Sequence, residues 1–453
     1  MSAANAETLP IARAGNWRLN LGWGIGTLGA SLLLNGFSFL APFFLTTVLG
    51  IAASTAAGLL FIAKLWDIVS NPMMGVISDR TETRWGRRRP FLLLGGVIAG
   101  VAFALLYSLG RWPAMQQLWV IGLVVAGVGT GYTIFNVPYM AMPSEMLDDY
   151  KQRTGMMAWR VFFIGIGTFI AGGLAQRIAE AYGGGAHGYS MMGLIFGVAI
   201  TVFMGATFFG TAGARFTKRE KVKTPLRELW RTGLENRPFV ALICTKATQL
   251  FGMFTVAATG IFVIKYVIGQ ENPGMWMLWF AVFAMVAQIV TIPLWRRISV
   301  VLEKQRTYIL ATAIYCLASL SWLLASPDEE LWFFCLRAAT KGFAAAGLLL
   351  MGQSMLPDTI EYDYRRTGLR REGIYSAIYS FVEKVSAAIA PSVLLLVYAA
   401  IGFQSKAAVQ TPEAIDGIRI AAAVLPCVYF GLSIPCLMFY RLTEQTLKNT
   451  RRP

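Results

Sequence analysis

The stretch of sequence that decides the fold runs from Lys64 to Pro90 and reads KLWDIVSNPMMGVISDRTETRWGRRRP. Its first half places Lys64, Asp67 and Asn71 inside an apolar run that is long enough to cross a bilayer. Its second half is a basic loop, and loops rich in Arg and Lys stay on the cytoplasmic side of a membrane. A carboxylate within a membrane span is costly, so Asp67 is by default a functional residue. The stretch predicts a membrane helix that carries part of an ion or substrate site.

Composition predicts that the whole chain is a membrane protein. Of its 453 residues, 56% are hydrophobic and 14% are charged, whereas soluble proteins carry about 25% charged residues. The apolar residues form runs of roughly 20, the length of a membrane-crossing helix, and they do not alternate as barrel strands do. We therefore expect an all-α polytopic membrane protein. Its net charge of +16 lies mostly in loops and is better explained by topology than by nucleic-acid binding.

Twelve membrane spans are predicted, with both termini in the cytoplasm. They cover residues 18–48, 53–78, 90–110, 117–142, 154–177, 189–211, 238–268, 274–295, 306–325, 330–355, 372–403 and 416–440. Loops rich in Arg and Lys alternate with Gly- or Pro-rich loops that carry few cations, and this asymmetry orients the chain. The longest loop, the predicted cytoplasmic linker 212–237, separates two six-helix bundles, residues 1–211 and 238–453. Transporters built from two such halves hold their site between them, although no sequence repeat can be demonstrated here.

Polar residues inside the spans are the candidate site residues. Lys64, Asp67 and Asn71 are spaced three and four apart, so they share one helix face. They form either a cation-binding or protonatable site tuned by Lys64, or a buried ion pair without function. Span four carries a polar stripe made of Gly129, Tyr132, Thr133, Asn136 and Met140.

The charges within the spans are mostly positive. The carboxylates are Asp67 and Glu383, and the cations are Lys64, Arg160, Lys246, Arg337, Lys341 and Lys384. If most of these cations face one cavity, that cavity attracts an anion. The sequence alone does not determine which of these side chains point into a cavity.

Enzymatic chemistry is not indicated. The five cysteines lie in apolar runs without paired spacing, and the one histidine, His187, lies in a Gly-rich loop. Neither a metal site nor a bound cofactor is predicted, and no Walker loop or Ser/His/Asp set is present. A membrane sensor that does not transport is the alternative from another class, but one would then expect an appended soluble domain.

Several segments carry a resemblance to a known family. They are WDIVSNPMMG (66–75) with RWGRRRP (84–90), YTIFNVP (132–138), WRVFF (159–163), DTIEY (358–362) and YSFVEK (379–384). In order and content they resemble the glycoside-pentoside-hexuronide:cation symporters, the melibiose permease group of the major facilitator superfamily. The resemblance implies two bundles that rock about a central site. It also implies a monomer in a bacterial inner membrane that takes up a sugar or glycoside together with a cation.

The resemblance implies a cation site. In this family, two span-two carboxylates four residues apart act with a span-four Thr and residues of span eleven. The residues at and beside these positions here are Asp67, Asn71, Thr133, Ser380, Lys384 and Lys64. Because Asn71 replaces the second carboxylate, H⁺ is favoured over Na⁺ as the coupling ion, with Na⁺ at the Asp67 site as the alternative.

A substrate site is implied in the same way. Melibiose permease holds its galactoside with aspartates in spans one and four, a stacking Trp and a span-five Arg. The residues at and beside those positions here are Ser31, Tyr132, Asn136, Met140, Arg160 and Lys384. The loss of two acids and the retention of Arg160 predict an anionic glycoside, such as a uronide. A lysolipid or another amphiphile is the alternative substrate within the same fold.

A cytoplasmic gate is the last implied feature. GVISDR (75–80) is similar to the loop motif of the superfamily, which forms a contact between the cytoplasmic ends of helices. The residues assigned to this gate are Gly75, Asp79, Arg80, Arg84, Arg88, Asp358 and Glu361.

Overall fold

The apolar runs of the sequence form long helices. The computed structural model describes residues 17–113, 116–146, 150–214, 234–367, 372–405, 407, 409–440, 442 and 446, without the side chains of 64, 68, 72, 79, 144, 145, 150–155, 158, 161, 372–374, 376, 377, 380, 384 and 388. The α-helices are α1 (Trp17–Phe43), α2 (Ala53–Arg80), α3 (Arg89–Ser108), α4 (Leu118–Met146), α5 (Tyr150–Phe169), α6 (Ala175–Ala181), α7 (Gly185–Gly210), α8 (Arg237–Phe262), α9 (Pro273–Leu320), α10 (Leu331–Thr367), α11 (Glu372–Ala400) and α12 (Pro412–Met438). Short π-helical turns cover Phe44–Val48, Ile170–Leu174 and Val263–Val267, and 3₁₀ turns cover Leu109–Arg111 and Ser321–Leu324. The described part of the chain confirms an all-α fold.

Eleven helical stretches in the described ranges are long and apolar enough to cross a membrane. One of them, Pro273–Leu324, has 52 residues, about twice what a single crossing needs. Within it, Glu303 has φ 62° and ψ 161°, a left-handed conformation that residues with a Cβ seldom adopt. The helix is therefore broken at Glu303. The sequence predicted a polar loop between residues 295 and 306, whereas the helix continues through most of it.

Helix α10 is also longer than predicted. The predicted span ended at residue 355, but the helix runs to Thr367. It therefore includes Asp358 and Glu361, which the sequence placed before span eleven. These two gate candidates therefore lie in the last turns of a membrane helix and not in a loop.

The helices of each half of the sequence pack mainly with one another. In the first half, α3 packs against α4 and α7, and α1 packs against α5 and α7; in the second half, α9 packs against α10 and α12, and α8 packs against α11 and α12. Small residues allow the closest approaches, as expected for membrane helices. A Cβ atom at Gly22 would lie 2.7 Å from the Cα of Gly210, so α1 and α7 touch backbone to backbone. Contacts between the halves join α2 to α11 and α1 to α8.

Two equivalent helix ends meet between the halves. The residues that follow α1 and α8 form π-helical turns, Phe44–Val48 and Val263–Val267. Each turn is closed by a backbone hydrogen bond across five residues, 2.9 and 3.0 Å long. Gly50 and Gly269 then reverse the chain, both with φ +76°, which glycine adopts without the steric cost of a Cβ.

The two turns are related by a fixed sequence offset. Thr47 Oγ1 and Tyr266 Oη lie 3.4 Å apart, although their residues are separated by 219 positions. Both occupy the same place in their π-helical turns, so the halves are structural repeats at this point. We call the end that carries residues 49–52 and 268–272 the first-loop end, and the opposite end, with residues 81–88, the basic-loop end.

Candidate functional site

Asp67 lies beside a narrow cavity inside the first half. Helices α1, α2 and α4 supply the lining, which consists of Leu33, Leu34, Phe37, Ala63, Asp67, Val125, Val128, Gly129 and Tyr132. Asp67 is the charged member of an otherwise mostly apolar lining. A Cβ at Gly129 would lie 3.1 Å from Asp67 Cγ, so the absence of a side chain at Gly129 leaves room for the carboxylate. A carboxylate within a membrane helix is a candidate to take up a proton or bind a cation.

Polar contacts near Asp67 hold α2 internally and link it to α4. Asn71 Nδ2 donates to the backbone oxygen of Asp67 at 2.5 Å, and Ser70 Oγ donates to Thr133 Oγ1 at 3.5 Å. Asn71 Oδ1 is buried and accepts no hydrogen bond within the described part of the chain. A buried amide oxygen without a donor can bind a water molecule or a cation. The structure therefore brings together Asp67, Asn71 and Thr133 of the predicted cation site.

The rest of the predicted cation site cannot be placed as side chains. Lys64 belongs to α2, and Ser380 and Lys384 belong to α11. Their side chains are among those outside the described residues, as is that of Asp79 in the predicted gate.

Tyr132 links the predicted cation and substrate residues. It lines the same cavity as Asp67. The next helical turn of α4 holds Asn136, which is buried, and Met140 lies further along, half-buried against the main core. Arg160 on α5 is half-buried. The Asp67 carboxylate and the Tyr132 phenol therefore lie beside one cavity, and the helix that carries Arg160 contacts α1 and α4, which line it.

The predicted residue Ser31 joins α1 to α5. Its hydroxyl donates to Ile164 O at 3.1 Å, and Asn35 Nδ2 donates to Ser31 Oγ at 2.9 Å and to Thr168 Oγ1 at 3.0 Å. Asn35 was not among the predicted site residues. The signal was present in the sequence, because Asn35 follows Ser31 by four positions within an apolar run and shares its helix face.

The second half contributes a site that the sequence indicated only in part. Lys246 Nζ on α8 lies 4.0 Å from Glu383 Oε1 on α11. The same ammonium lies 5.4 Å from the ring centre of Tyr379. Both charges had been counted as membrane-embedded, but their partnership depends on the packing of α8 against α11, which the sequence did not give.

Two of the embedded cations lie elsewhere. Arg337 Nη1 binds both carboxylate oxygens of Glu329 at 2.5 and 2.6 Å, in a pair whose side chains are each 2% exposed. Lys341 Nζ lies 5.2 and 5.8 Å from the ring centres of Trp322 and Tyr315. These cations are used in packing within the second half, so the positive surplus near Asp67 comes from fewer residues than the sequence suggested.

The basic-loop end is held by contacts within each half. In the first half, Arg88 is buried and its Nη1 donates to Ser78 Oγ at 2.6 Å, while Arg84 lies over the ring of Trp85 at 4.7 Å. The other gate candidates of this half with described positions, at and near the end of α2, are Gly75 and Arg80.

The second half has its own pairs at the end of α10. Lys304 Nζ binds Asp358 Oδ2 at 2.5 Å, and Arg365 Nε binds Glu361 Oε1 at 2.7 Å. The two acidic gate residues of the second half, Asp358 and Glu361, are thus salt-bridged within that half. Their role in gating remains a prediction.

The first-loop end carries contacts that cross between the halves. Glu180 Oε1 accepts a hydrogen bond from Gly274 N at 2.6 Å, at the start of α9. Ser405 Oγ donates to Ile51 O at 2.7 Å. None of these residues was among the predicted site or gate residues. Glu180 sits next to a Gly-rich loop, and its role depends on a helix almost a hundred residues away.

This chain matches known transport proteins along most of its length. A family model described as MFS/sugar transport protein matches residues 22–444. The uncharacterized symporter YnaJ of Bacillus subtilis is 28% identical over 95% of this chain and 93% of its own. The isoprimeverose transporter of Lactiplantibacillus pentosus is 25% identical over 94% of this chain and 89% of its own. The glucuronide carrier protein homolog of Escherichia coli is 24% identical over 96% of this chain and 94% of its own.

A solved structure shares the arrangement of helices. It is a bacterial homolog to the human lysosomal transporter Spinster, in an inward-facing and unoccupied conformation. The TM-score is 0.68, the match covers 96% of this chain and 98% of that chain, and 14% of residues are identical. At this identity the likeness concerns the fold.

Proposed function

The chain belongs to the MFS/sugar transport protein family, and from that premise we propose that it couples the inward movement of H⁺ to the uptake of an anionic glycoside. It is a multi-pass integral protein of a bacterial inner membrane and a transporter, not an enzyme. Relatives over nearly its whole length are named as symporters and sugar carriers. The coupling ion, the charge of the substrate and the orientation are the parts that the proposal adds.

The proposed topology has twelve spans and cytoplasmic termini. Division of the long helix at Glu303 supplies the twelfth span. Residues 1–211 and 238–453 then form two bundles joined by the cytoplasmic linker 212–237, and the basic-loop end faces the cytoplasm. In this orientation the contacts of Glu180 and Thr47 close the outer side. A carrier closed on its outer side receives or releases its substrate on the inner side.

The position of Asp67 is the observation that carries the proposal. Its carboxylate faces a mostly apolar cavity beside Gly129 and Tyr132, and Asn71 stands where a second acid would serve a metal ion. No cluster of three or more His, Cys, Asp or Glu side chains is found in the part of the chain that the structure describes. One carboxylate with amide and hydroxyl neighbours suits a proton, which needs a single acceptor. Lys64, Ser380 and Lys384 complete the proposed coupling site.

Arg160 supports an anionic substrate. Arg160 is half-buried on α5, which packs against α1 and contacts α4, the helix of the proposed binding residues Tyr132, Asn136 and Met140. Guanidinium groups bind carboxylates through two parallel hydrogen bonds. The glucuronide carrier homolog is a relative whose name includes such a substrate. Ser31 and Lys384 are the other residues of the proposed substrate site.

The proposed cycle follows from the cost of enclosed charge. Substrate and H⁺ enter from the outside, where the proton neutralises Asp67 and Arg160 binds the substrate anion. The loaded site then closes at low cost, because the proton neutralises Asp67 while the substrate anion balances the charge of Arg160. Rocking of the two bundles opens the inner side, and loss of the proton restores the charge of Asp67. The empty site also closes, because the charges of Asp67 and Arg160 then balance each other. A site with only the proton or only the anion carries an unbalanced charge, and this difference couples the two movements.

Uptake by the purified protein in proteoliposomes tests the proposal. We expect 4-nitrophenyl β-D-glucuronide to be accumulated under an imposed H⁺ gradient and not under a Na⁺ gradient, and to be preferred over the neutral 4-nitrophenyl β-D-glucoside. Asp67→Asn should abolish accumulation. Asp416→Asn, at an acid whose side chain is 63% exposed, is the matched control and should leave uptake unchanged.

The contrary outcomes separate the parts of the proposal. Accumulation driven by Na⁺ alone would overturn H⁺ coupling, and preference for the glucoside would overturn the anionic substrate. Full accumulation by Asp67→Asn would remove Asp67 from the mechanism. Uptake of a lysophospholipid with neither glycoside accepted would replace the sugar substrate by an amphiphile.

A further inference from the structure

The ion pair of Lys246 and Glu383 presents its acid outward. The side chain of Lys246 is 8% exposed, whereas that of Glu383 is 37% exposed. In the pair formed by Arg337 and Glu329, by contrast, both side chains are sealed at 2%. Lys246 therefore lies on the buried side of the pair, and the Glu383 carboxylate is its accessible member.

Glu383 lies at the border between the two halves. It belongs to α11, the helix of the second half that packs against α2, which carries Asp67. Phe381, two residues earlier on α11, is turned by about 200° around the helix and is 42% exposed. This places an apolar side chain on the opposite face, where lipid contact carries no penalty. A carboxylate on that lipid face would be costly, so Glu383 lies on the side that borders the site.

The support behind Glu383 is rigid. Lys246 lies against the Tyr379 ring, and Gln249, three residues further along α8, is held by hydrogen bonds of both its oxygen and its nitrogen. Gln249 Oε1 accepts from Tyr308 Oη at 2.5 Å, and its Nε2 donates to Thr312 Oγ1 at 3.3 Å. Groups that are fixed before a ligand arrives lose little entropy on binding.

From these contacts we infer that Glu383 is the hydroxyl-accepting residue of the second half in the substrate site. The inference rests on the proposed function, since the hydroxyl groups are those of a glycoside. An ionised carboxylate offers only acceptors, so it binds the hydroxyl groups of a sugar ring and repels a substrate carboxylate. Arg160 on the first half attracts that carboxylate.

The two residues therefore set the orientation of the substrate. The anionic end lies toward Arg160 and the first half, and the hydroxyl-bearing end lies toward Glu383 and the second half. A ligand with negative charge at both ends is disfavoured by Glu383, which is specificity through repulsion. Because the substrate then contacts both bundles, its binding favours the closed arrangement over either open one.

Cysteine labelling tests the facing of residue 383 without a substrate. In a background that lacks the five native cysteines, Glu383→Cys and Phe381→Cys are treated in open membranes with a charged, membrane-impermeant methanethiosulfonate. We expect Glu383→Cys to be labelled, and Phe381→Cys, the control at nearly the same depth, to remain unlabelled. Failure to label Glu383→Cys, or labelling of both residues, would overturn the inference.

Binding of deoxy analogues tests the role of the carboxylate. Kd is measured for 4-nitrophenyl β-D-glucuronide and its 2-, 3- and 4-deoxy analogues on the wild type and on Glu383→Gln. We expect Glu383→Gln to weaken the parent glucuronide about fivefold to tenfold, because Gln keeps an acceptor but turns a hydrogen bond to a charged group into a weaker, neutral one. It should leave nearly unchanged the one analogue that lacks the contacted hydroxyl.

The outcomes distinguish this inference from the proposed function. Equal weakening of the parent and of all analogues would indicate a structural effect and would overturn the inference while leaving the proposed function intact. An unchanged affinity for the parent would do the same. A wild-type protein that binds none of the glycosides would overturn the proposed function, and the inference with it.

Discussion

The ring of Phe43 packs edge-on against the ring of Phe262, with centroids 5.3 Å apart and planes at 69°. The two residues are separated by 219 positions, as are Thr47 and Tyr266. Each is the last residue of its α-helix, directly before the π-helical turn. Residues that are equivalent in two repeats and touch each other lie on the axis that relates the repeats. In the proposed cycle, rocking of the bundles separates these rings, so we expect their contact to help close the first-loop end.

Truncation of either ring should favour opening of the first-loop end. Phe43→Ala and Phe262→Ala each remove an aromatic pair worth about 0.5–1.5 kcal/mol beyond its buried area, which corresponds to an opening equilibrium raised roughly two- to tenfold. Hydrogen exchange should become faster in peptides that cover residues 44–48 and 263–267. The double variant should show less than the sum of the single effects, because both remove the same contact. Strictly additive effects would indicate that the rings do not act as a pair.

Glu180 is expected to act as a second latch at this end. Its carboxylate accepts the Gly274 N–H at the N-terminus of α9, where negative charge is stabilised by about 0.3–2 kcal/mol. Glu180→Gln keeps an acceptor but removes the charge, so opening of the first-loop end should become easier, with faster exchange in the same peptides. Glu413 lies in the first turn of α12, and Glu413→Gln is the control because it changes the same kind of charge without an observed contact between the halves. Equal effects of the two substitutions would remove Glu180 from the latch.

The buried pair of Arg337 and Glu329 is predicted to stabilise the second half. Glu329→Gln leaves the guanidinium sealed without its counter-charge, which typically costs about 3–5 kcal/mol. The variant should unfold at a clearly lower temperature in detergent. Asp416→Asn breaks the exposed pair with Arg419, and exposed pairs contribute about 0–1 kcal/mol. Equal melting temperatures for Glu329→Gln and Asp416→Asn would show that the buried pair contributes no more to stability than the exposed pair does.

Much of the architecture could be predicted from the sequence because the signals are local. A run of apolar residues specifies a membrane helix without reference to its neighbours, and the polar residues Asp67, Asn71 and Thr133 stand out against such runs. The helix spacing also placed Asp67 and Asn71 on one face, and their hydrogen bond through the Asp67 backbone agrees with it. The family followed from the order of short segments along the chain.

The pairing of distant residues could not be predicted in this way. Lys246 and Glu383, or Glu180 and Gly274, meet only because particular helices pack together, and no short pattern encodes which helices do so. The same limit explains the embedded cations. The sequence counted Arg337 and Lys341 as candidate cavity residues because they are charged residues within apolar spans. In the structure, Arg337 forms an ion pair with Glu329 and Lys341 lies over the ring of Trp322, both within the second half. The repeat was missed because the two π-helical turns share a backbone shape more than a sequence.

Substitution of Gly129 should affect transport without lowering the stability of the fold. Alanine raises the helix propensity of this position by about 1 kcal/mol, but its Cβ would lie 3.1 Å from Asp67 Cγ and closer still to Oδ1. Gly129→Ala should therefore leave the melting temperature unchanged or higher while it displaces the carboxylate and abolishes H⁺-driven accumulation of 4-nitrophenyl β-D-glucuronide. Gly260→Ala on α8 is the matched control, because a Cβ there meets no atom within 4 Å, and it should retain full uptake. Normal accumulation by Gly129→Ala would mean that coupling does not depend on where the Asp67 carboxylate is held.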